Sequence, residues 1–156
     1  FSRFAQMPSL RLETHDVSYL SNRATALYSD RGVQFLSDGP VYASVDKEQW
    51  SRIIHNLVKN ALQSVPEDRQ PEIVVQVLKE QGKGIISVSD NGTGIPDEMK
   101  ERVFEPNFTT KSSGMGLGLA MVKNLIQNFG GTIAFENGKL GAVFTITIPT
   151  KQNNLS

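Results

Sequence analysis

Apolar residues recur at helical spacing over 46–65, where Trp50, Ile53, Ile54, Leu57, Val58, Ala61, Leu62 and Val65 lie three and four apart. At about 100° per residue they fill one arc of a helix. Asp46 stands where an N-cap belongs, and Pro66 follows the last apolar position. A second helix is predicted over 16–28, with Val17, Leu20, Ala24, Leu27 and Tyr28 on one face and His15 before it as a cap or surface residue. A third is predicted over 117–129, ended by Gly130-Gly131, and a short fourth over 97–102. Strand patterns occupy 10–12, 33–36, 41–45, 72–78, 85–89, 132–135 and 142–148. The pair 33–36 and 41–45 reads as two strands joined by a turn, Ser37-Asp38-Gly39-Pro40. The pair 72–78 and 85–89 forms a hairpin, and so does the last pair, around Asn137-Gly138. Hairpins are present and strands do not strictly alternate with helices. The expected fold class is therefore α+β, a two-layer α/β sandwich with a mixed sheet and three main helices on one face.

Composition narrows the function. A chain of 156 residues is the size of one domain. Sixteen basic residues balance sixteen acidic ones, so a bulk nucleic-acid or anionic-membrane footprint is not expected. No cysteine is present, which removes a disulfide frame and cysteine metal sites. No apolar run is long enough to span a membrane, no signal peptide is visible, and a cytoplasmic setting is expected. The chain starts at Phe1 rather than Met, which points to a fragment of something longer. Residues 1–7 read as the last turns of an upstream helix stopped by Pro8, 8–150 as the domain, and 151–156 as a polar tail.

Three stretches carry candidate chemistry. After the strand at 85–89 comes Asp90-Asn91-Gly92-Thr93-Gly94-Ile95-Pro96. A carboxylate accepts hydrogen bonds, and the glycines let a ligand approach bare backbone. The pair could receive an amino group on a flat ring, although Asp-Asn-Gly is also good turn chemistry by itself. On the helix at 46–65, Asn56, Asn60 and Gln63 fall on one polar stripe, with Asn60 at the border of the apolar arc. An amide oxygen is a hard donor suited to Mg²⁺, and a solvated face explains the stripe equally well. Downstream, Gly114, Gly116 and Gly118 alternate just before the third helix. A glycine-rich loop opening onto a helix N-terminus favours phosphate, with Thr109, Thr110 and Lys111 nearby. Residues 103–116 lack a sustained period and read as a lid.

In this order and spacing the three stretches strongly resemble the catalytic ATP-binding domain of bacterial sensor histidine kinases, of the superfamily shared with Hsp90, DNA gyrase B and MutL. His55-Asn56-Leu57-Val58-Lys59-Asn60-Ala61 resembles the N box, and Asp90 to Pro96 the G1 box. Phe104-Glu105-Pro106-Asn107-Phe108-Thr109-Thr110-Lys111 resembles the F box. Gly114-Met115-Gly116-Leu117-Gly118-Leu119-Ala120 resembles the G2 box. The Phe-Thr-Thr-Lys form is most similar to the nitrogen-regulation kinases.

The resemblance implies a Bergerat-type fold, ATP and Mg²⁺ as cofactors, and a phosphoryl transfer to a histidine on a dimerisation domain absent from this chain. It implies that Asp90 accepts from the adenine amino group, with Gly94 giving the ring room and Gly92 and Ile95 among the nucleotide contacts. Asn60 would be the Mg²⁺ ligand, with Asn56, Lys59 and Gln63 beside it. Phe104, Thr109, Thr110, Lys111, Gly114, Met115, Gly116, Leu117, Gly118 and Thr145 complete the implied nucleotide contacts, and Asn56 and Lys111 the implied catalytic parts. The implied partners are the protein's own dimerisation domain, a response regulator, and a second copy in the full-length protein, with no direct membrane contact. His55 is read as structural. Hsp90-type relatives carry a glutamate base where Asn56 stands, which favours a kinase over a water-activating ATPase. Many kinases carry lysine where Gln63 stands, and threonine where Ala142 stands. The rival readings are a non-catalytic nucleotide-binding module and an anti-sigma-factor serine kinase of the same fold.

Overall fold

The computed structural model describes residues 9–106 and 115–152, with only the backbone described for 115–117. Its elements run β1 (Glu13–Asp16), α1 (Val17–Ala26), a 3-10 turn (Ser29–Arg31), β2 (Val33–Ser37), β3 (Tyr42–Val45) and α2 (Lys47–Ser64). Then follow β4 (Ile73–Glu80), β5 (Lys83–Ser89), a 3-10 turn (Asp97–Arg102), α3 (Met115–Asn128), β6 (Thr132–Asn137) and β7 (Ala142–Pro149).

The main sheet has five strands in the order β2-β4-β5-β7-β6, and β1 pairs with β3 in a separate ribbon. β2 runs parallel to β4, and every other pairing in the main sheet is antiparallel. The sheet is therefore mixed, as expected. All three helices pack on one of its faces, with α2 between α1 and α3.

The expected strands at 33–36 and 41–45 exist, but they do not pair with each other. β2 joins the main sheet beside β4, and β3 turns away to pair with β1. A turn signal reports a change of direction and carries no information about the partner strand. The short strand expected at 10–12 forms later, as β1. The cap of α1 is Asp16, not His15: its Oδ1 accepts from the N–H groups of Ser18 and Tyr19. His15 instead pairs with Ala43 in the ribbon.

α2 forms as its pattern dictates. Asp46 caps it by accepting from Glu48 N–H and Gln49 N–H, both at 3.0 Å. Pro66 disfavours helical backbone at Val65, which is extended at φ −86° and ψ 123°. The apolar arc is buried: Trp50, Ile53, Ile54, Leu57 and Val58 are at most 1% exposed. Each such side chain contributes about 1.5–3 kcal/mol relative to exposure. The one polar atom of Trp50 is satisfied, since Nε1–H donates to Ser21 Oγ at 2.9 Å.

β4 and β5 join through Gln81-Gly82, both at positive φ (51° and 78°), the backbone of a two-residue type I′ hairpin. β6 and β7 pair from Asn137↔Ala142 backwards, so their connection is the loop 138–141, closed by Gly138 N–H to Gly141 O at 2.6 Å. Asn137 belongs to the strand rather than to the turn.

Candidate nucleotide-binding site

β5 ends by delivering Asp90 to the space between α2 and the β6–β7 hairpin. Asp90 Oδ1 accepts from Gly92 N–H at 2.8 Å and Ala142 N–H at 3.2 Å. Burial pushes the Asp90 carboxyl above the ordinary aspartate range, against the opposing pull of these N–H groups and the Ser64 hydroxyl. The backbone around it is packed so closely that two positions, one in the turn and one in the β6–β7 loop, admit no side chain. A Cβ on Gly92 would lie 2.2 Å from Ser64 Oγ, and one on Gly141 would lie 2.1 Å from Asp90 Oδ1. Thr93 N–H donates to Ser64 O at 3.2 Å, which ties the turn to the end of α2.

The back of the turn is held by the α2–β4 connection. The Arg69 guanidinium donates to the carbonyls of Asn91 and, at 3.1 Å, Gly92. The buried Asn91 carboxamide donates to Gln70 O and accepts from Glu72 N–H, each at 2.8 Å. The far end of the turn is held by Asn137, which bonds both backbone groups of Ile95. Gly94, at φ +75°, supplies the left-handed bend that allows this approach.

Ser64 is also the last residue of the polar stripe of α2. Asn56 and Asn60 are half-buried on that helix, while Lys59 and Gln63 are exposed. At the other end of the stripe, Asn56 faces α3: a Cβ on Gly118 would lie 3.7 Å from Asn56 Oδ1. From Asn56 to Ser64 is about 12 Å of helix. The stripe thus runs from the start of α3 to the Asp90 carboxylate, and an extended nucleotide can lie along it with its base at Asp90. No group of three acidic or histidine residues able to hold a metal occurs among the described residues. The donors at hand are the two carboxamides, for which the described residues provide no competing hydrogen bond. That set fits Mg²⁺, which keeps several waters and binds through few protein oxygens plus substrate phosphates.

The remaining expected residues divide. Ile95 packs against the edge of the core, and Phe104 packs edge-on to Phe135 and Phe144 at centroid distances of 6.4 and 6.1 Å. Phe104 therefore anchors the chain beside the site through an aromatic cluster. Met115, Gly116 and Leu117 lie in the first turn of α3, which starts at Met115 rather than at Leu117. Thr109, Thr110, Lys111 and Gly114 lie outside the described residues, as do the expected helix tail at 1–7 and most of the expected lid. Thr145 is a correction. Buried Ala142, Phe144, Ile146 and Ile148 alternate with it along β7, so it faces away from the helices and the site. His55 is structural: Tyr28 and His55 Nδ1 share a hydrogen bond at 2.9 Å, and burial, helped by Lys59, lowers its pKa.

Sequence reasoning missed Ser64, Arg69, Asn137 and Gly141. Of these, Gly141 stood out only as a glycine just before a strand, and Asn137 only as half of an Asn-Gly turn. The others act through contacts distant in the chain.

Residues 45–152 match the family described as histidine kinase-, DNA gyrase B-, and HSP90-like ATPase. The chain belongs to this family. It is 35% identical over 150 residues to the sensor histidine kinase ZraS of Escherichia coli (strain K12), covering 90% of the chain and 31% of that protein. It is 37% identical over 118 residues to sporulation kinase D of Bacillus subtilis (strain 168), covering 75% of the chain and 23% of that kinase. The chain thus spans between about a quarter and a third of these curated relatives. Among solved structures, the catalytic domain of histidine kinase ThkA aligns with a TM-score of 0.79 at 29% identity, covering 89% of the chain and 95% of that domain. ThkA in complex with the response regulator protein TrrA aligns with a TM-score of 0.80 at 26% identity, covering 95% of the chain and 44% of ThkA. The mixed sheet and its three helices are those of a histidine kinase ATP-binding catalytic domain. No helix among the described residues is long and apolar enough to cross a membrane.

Proposed function

We propose that this chain binds Mg-ATP along the α2 stripe and positions its γ-phosphoryl group for transfer to a histidine on a dimerisation domain of the same protein, for relay to a response regulator. The observation that carries the reading is the Asp90 carboxylate. It is half-buried, with its two backbone N–H donors converging on one oxygen, so no backbone donor fills the other, which has capacity to accept an exocyclic amino group. A 6-amino purine supplies that donor.

Asn60, one helical turn before Ser64, is the proposed Mg²⁺ ligand, with Asn56 beside it. Bound Mg²⁺ would neutralise phosphate charge. Lys111 and the glycine run at 114–118 are the proposed phosphate contacts, Lys111 through its charge and the glycines through backbone N–H groups at a helix start. Phosphoryl transfer needs mainly positioning and charge neutralisation, which these groups provide without a general base. Asn56 stands where a water-activating glutamate would be needed, and a carboxamide cannot take a proton from water. That favours transfer to a protein acceptor over hydrolysis.

Calorimetric titration with a non-hydrolysable ATP analogue, with and without Mg²⁺, tests the reading. Binding at micromolar Kd, about −8 kcal/mol, is expected. A folded chain that binds no adenine nucleotide overturns it. ZraS and sporulation kinase D are named as kinases and ThkA was solved with a response regulator, which supports kinase and relay roles here.

A further inference from the structure

The β6–β7 hairpin holds both ends of the turn after Asp90 with a single rung of its ladder. Asn137 and Ala142 are cross-strand partners at the last pair before the loop. On one side of the rung, Ala142 N–H donates to Asp90 Oδ1 at 3.2 Å, and Asp90 N–H returns a bond to Ala142 O at 3.0 Å. On the other side, Asn137 Oδ1 accepts from Ile95 N–H and Asn137 Nδ2 donates to Ile95 O, both at 2.8 Å. The carboxamide thus pairs with Ile95 as a neighbouring strand would, reading donor and acceptor together. The fit extends to Gly94, where a Cβ would lie 3.0 Å from Asn137 Oδ1. Bonds from Arg69 and Ser64 reach only Asp90 to Thr93. Among the described residues, the Gly94–Ile95 end is hydrogen-bonded from outside the turn by Asn137.

We infer that Asn137 is a positioning residue for nucleotide recognition: by clamping Ile95 on the rung that also holds Asp90, it fixes the distance between the carboxylate and the Gly94 backbone, and so the width of the slot that takes the adenine. This rests on the adenine reading of Asp90 proposed above. Asn137 is exposed and spends both polar atoms of its carboxamide on Ile95, so its effect passes through Ile95 and Gly94. It selects for the base. Relaxing the slot weakens the fit of a 6-amino purine most, while a 6-oxo purine, already opposed by an acceptor facing an acceptor, loses less.

The test is calorimetric titration of the wild-type chain, Asn137→Ala, Asn137→Asp and a hairpin control, Lys139→Ala, with non-hydrolysable ATP and GTP analogues, on samples whose thermal melts show folding. Removing two hydrogen bonds from the turn should weaken ATP-analogue binding about tenfold. The preference for the ATP over the GTP analogue should shrink, and the ratio of affinities with and without Mg²⁺ should match wild type. Asn137→Asp keeps the oxygen facing Ile95 N–H but sets a second oxygen against Ile95 O, so it should weaken binding as well. It carries the test if Asn137→Ala does not fold. Lys139→Ala should bind as wild type does. Wild-type affinity and base preference in folded Asn137 variants overturn this inference and leave the Asp90 reading standing. Absence of adenine-nucleotide binding in the wild-type chain overturns the Asp90 reading itself.

Discussion

Three strand ends in this molecule present an aspartate to backbone N–H groups, at Asp16, Asp46 and Asp90, and the last two do different work. At the end of β3, Asp46 uses both oxygens: Oδ1 accepts from Glu48 and Gln49, and Oδ2 from Arg11 N–H at 2.9 Å. Burial pushes its carboxyl up, but the three N–H groups and the Arg11 charge outweigh burial and hold it below the usual range. At the end of β5, the N–H groups of Gly92 and Ala142 meet on a single oxygen of Asp90, burial wins, and the carboxyl stands above the usual range. A carboxylate filled on both sides by its own chain is a helix cap and splice. A half-buried one beside a cleft, with an oxygen that no backbone donor fills, can serve as a recognition group, because a ligand can supply a further donor.

The largest expected effect would break the comparison at Asp90. Asp90→Ala should weaken ATP-analogue binding at least about a hundredfold, through loss of a charge-assisted hydrogen bond in a desolvated slot. Titration checks the affinity, and near-normal binding in a folded variant would assign the base to another group. Asp46→Ala should do the reverse. It should cost about 1–2 kcal/mol of stability through loss of the α2 cap, read by urea denaturation, and leave nucleotide affinity unchanged.

A smaller effect separates the two ends of the stripe. Asn60→Ala should weaken Mg²⁺-dependent binding several-fold and Mg²⁺-free binding less, by about 1 kcal/mol of difference. Equal loss in both conditions would remove Asn60 as the metal ligand.

The smallest effects are pH dependences of opposite sign. The folded state holds the Asp46 proton less tightly than the unfolded chain. Its contribution to stability is full above the unfolded pKa and is lost as pH falls through the lower, folded value. The folded state holds the Asp90 proton more tightly, so stability contributed there falls as pH rises through the raised, folded value. Nucleotide affinity should decline as pH falls through that same value, because the acceptor becomes protonated. Urea melts and titrations across the acid range check both signs, using Asp46→Ala and Asp90→Ala to assign them.

Much of this was legible in the chain, for physical reasons that also mark the boundary. α2 was readable because its own residues impose a 3.6-residue period, a cap and a stop. The Asp90 turn was readable because glycine and aspartate in that order restrict the backbone locally. The pairing of β2 with β4 was hidden, because parallel partners are chosen by packing across α2 and not by the turn after β2. Thr145 was misplaced because a box of residues does not show which face of a strand each one takes. Asn137 reads locally as half of an Asn-Gly turn, and its bond to Ile95, 42 positions away, has no local signature. Residues that touch a ligand leave compact motifs, whereas residues that hold the motif in place are scattered.

The most direct measurement is a paired titration of the wild-type chain with a non-hydrolysable ATP analogue and its inosine counterpart, in which a carbonyl replaces the 6-amino group. If Asp90 receives that amino group, the adenine compound should bind at micromolar Kd and the inosine compound about a hundredfold more weakly or not at all. Equal affinity for the two would show that Asp90 does not read the base, and would contradict the account at its centre.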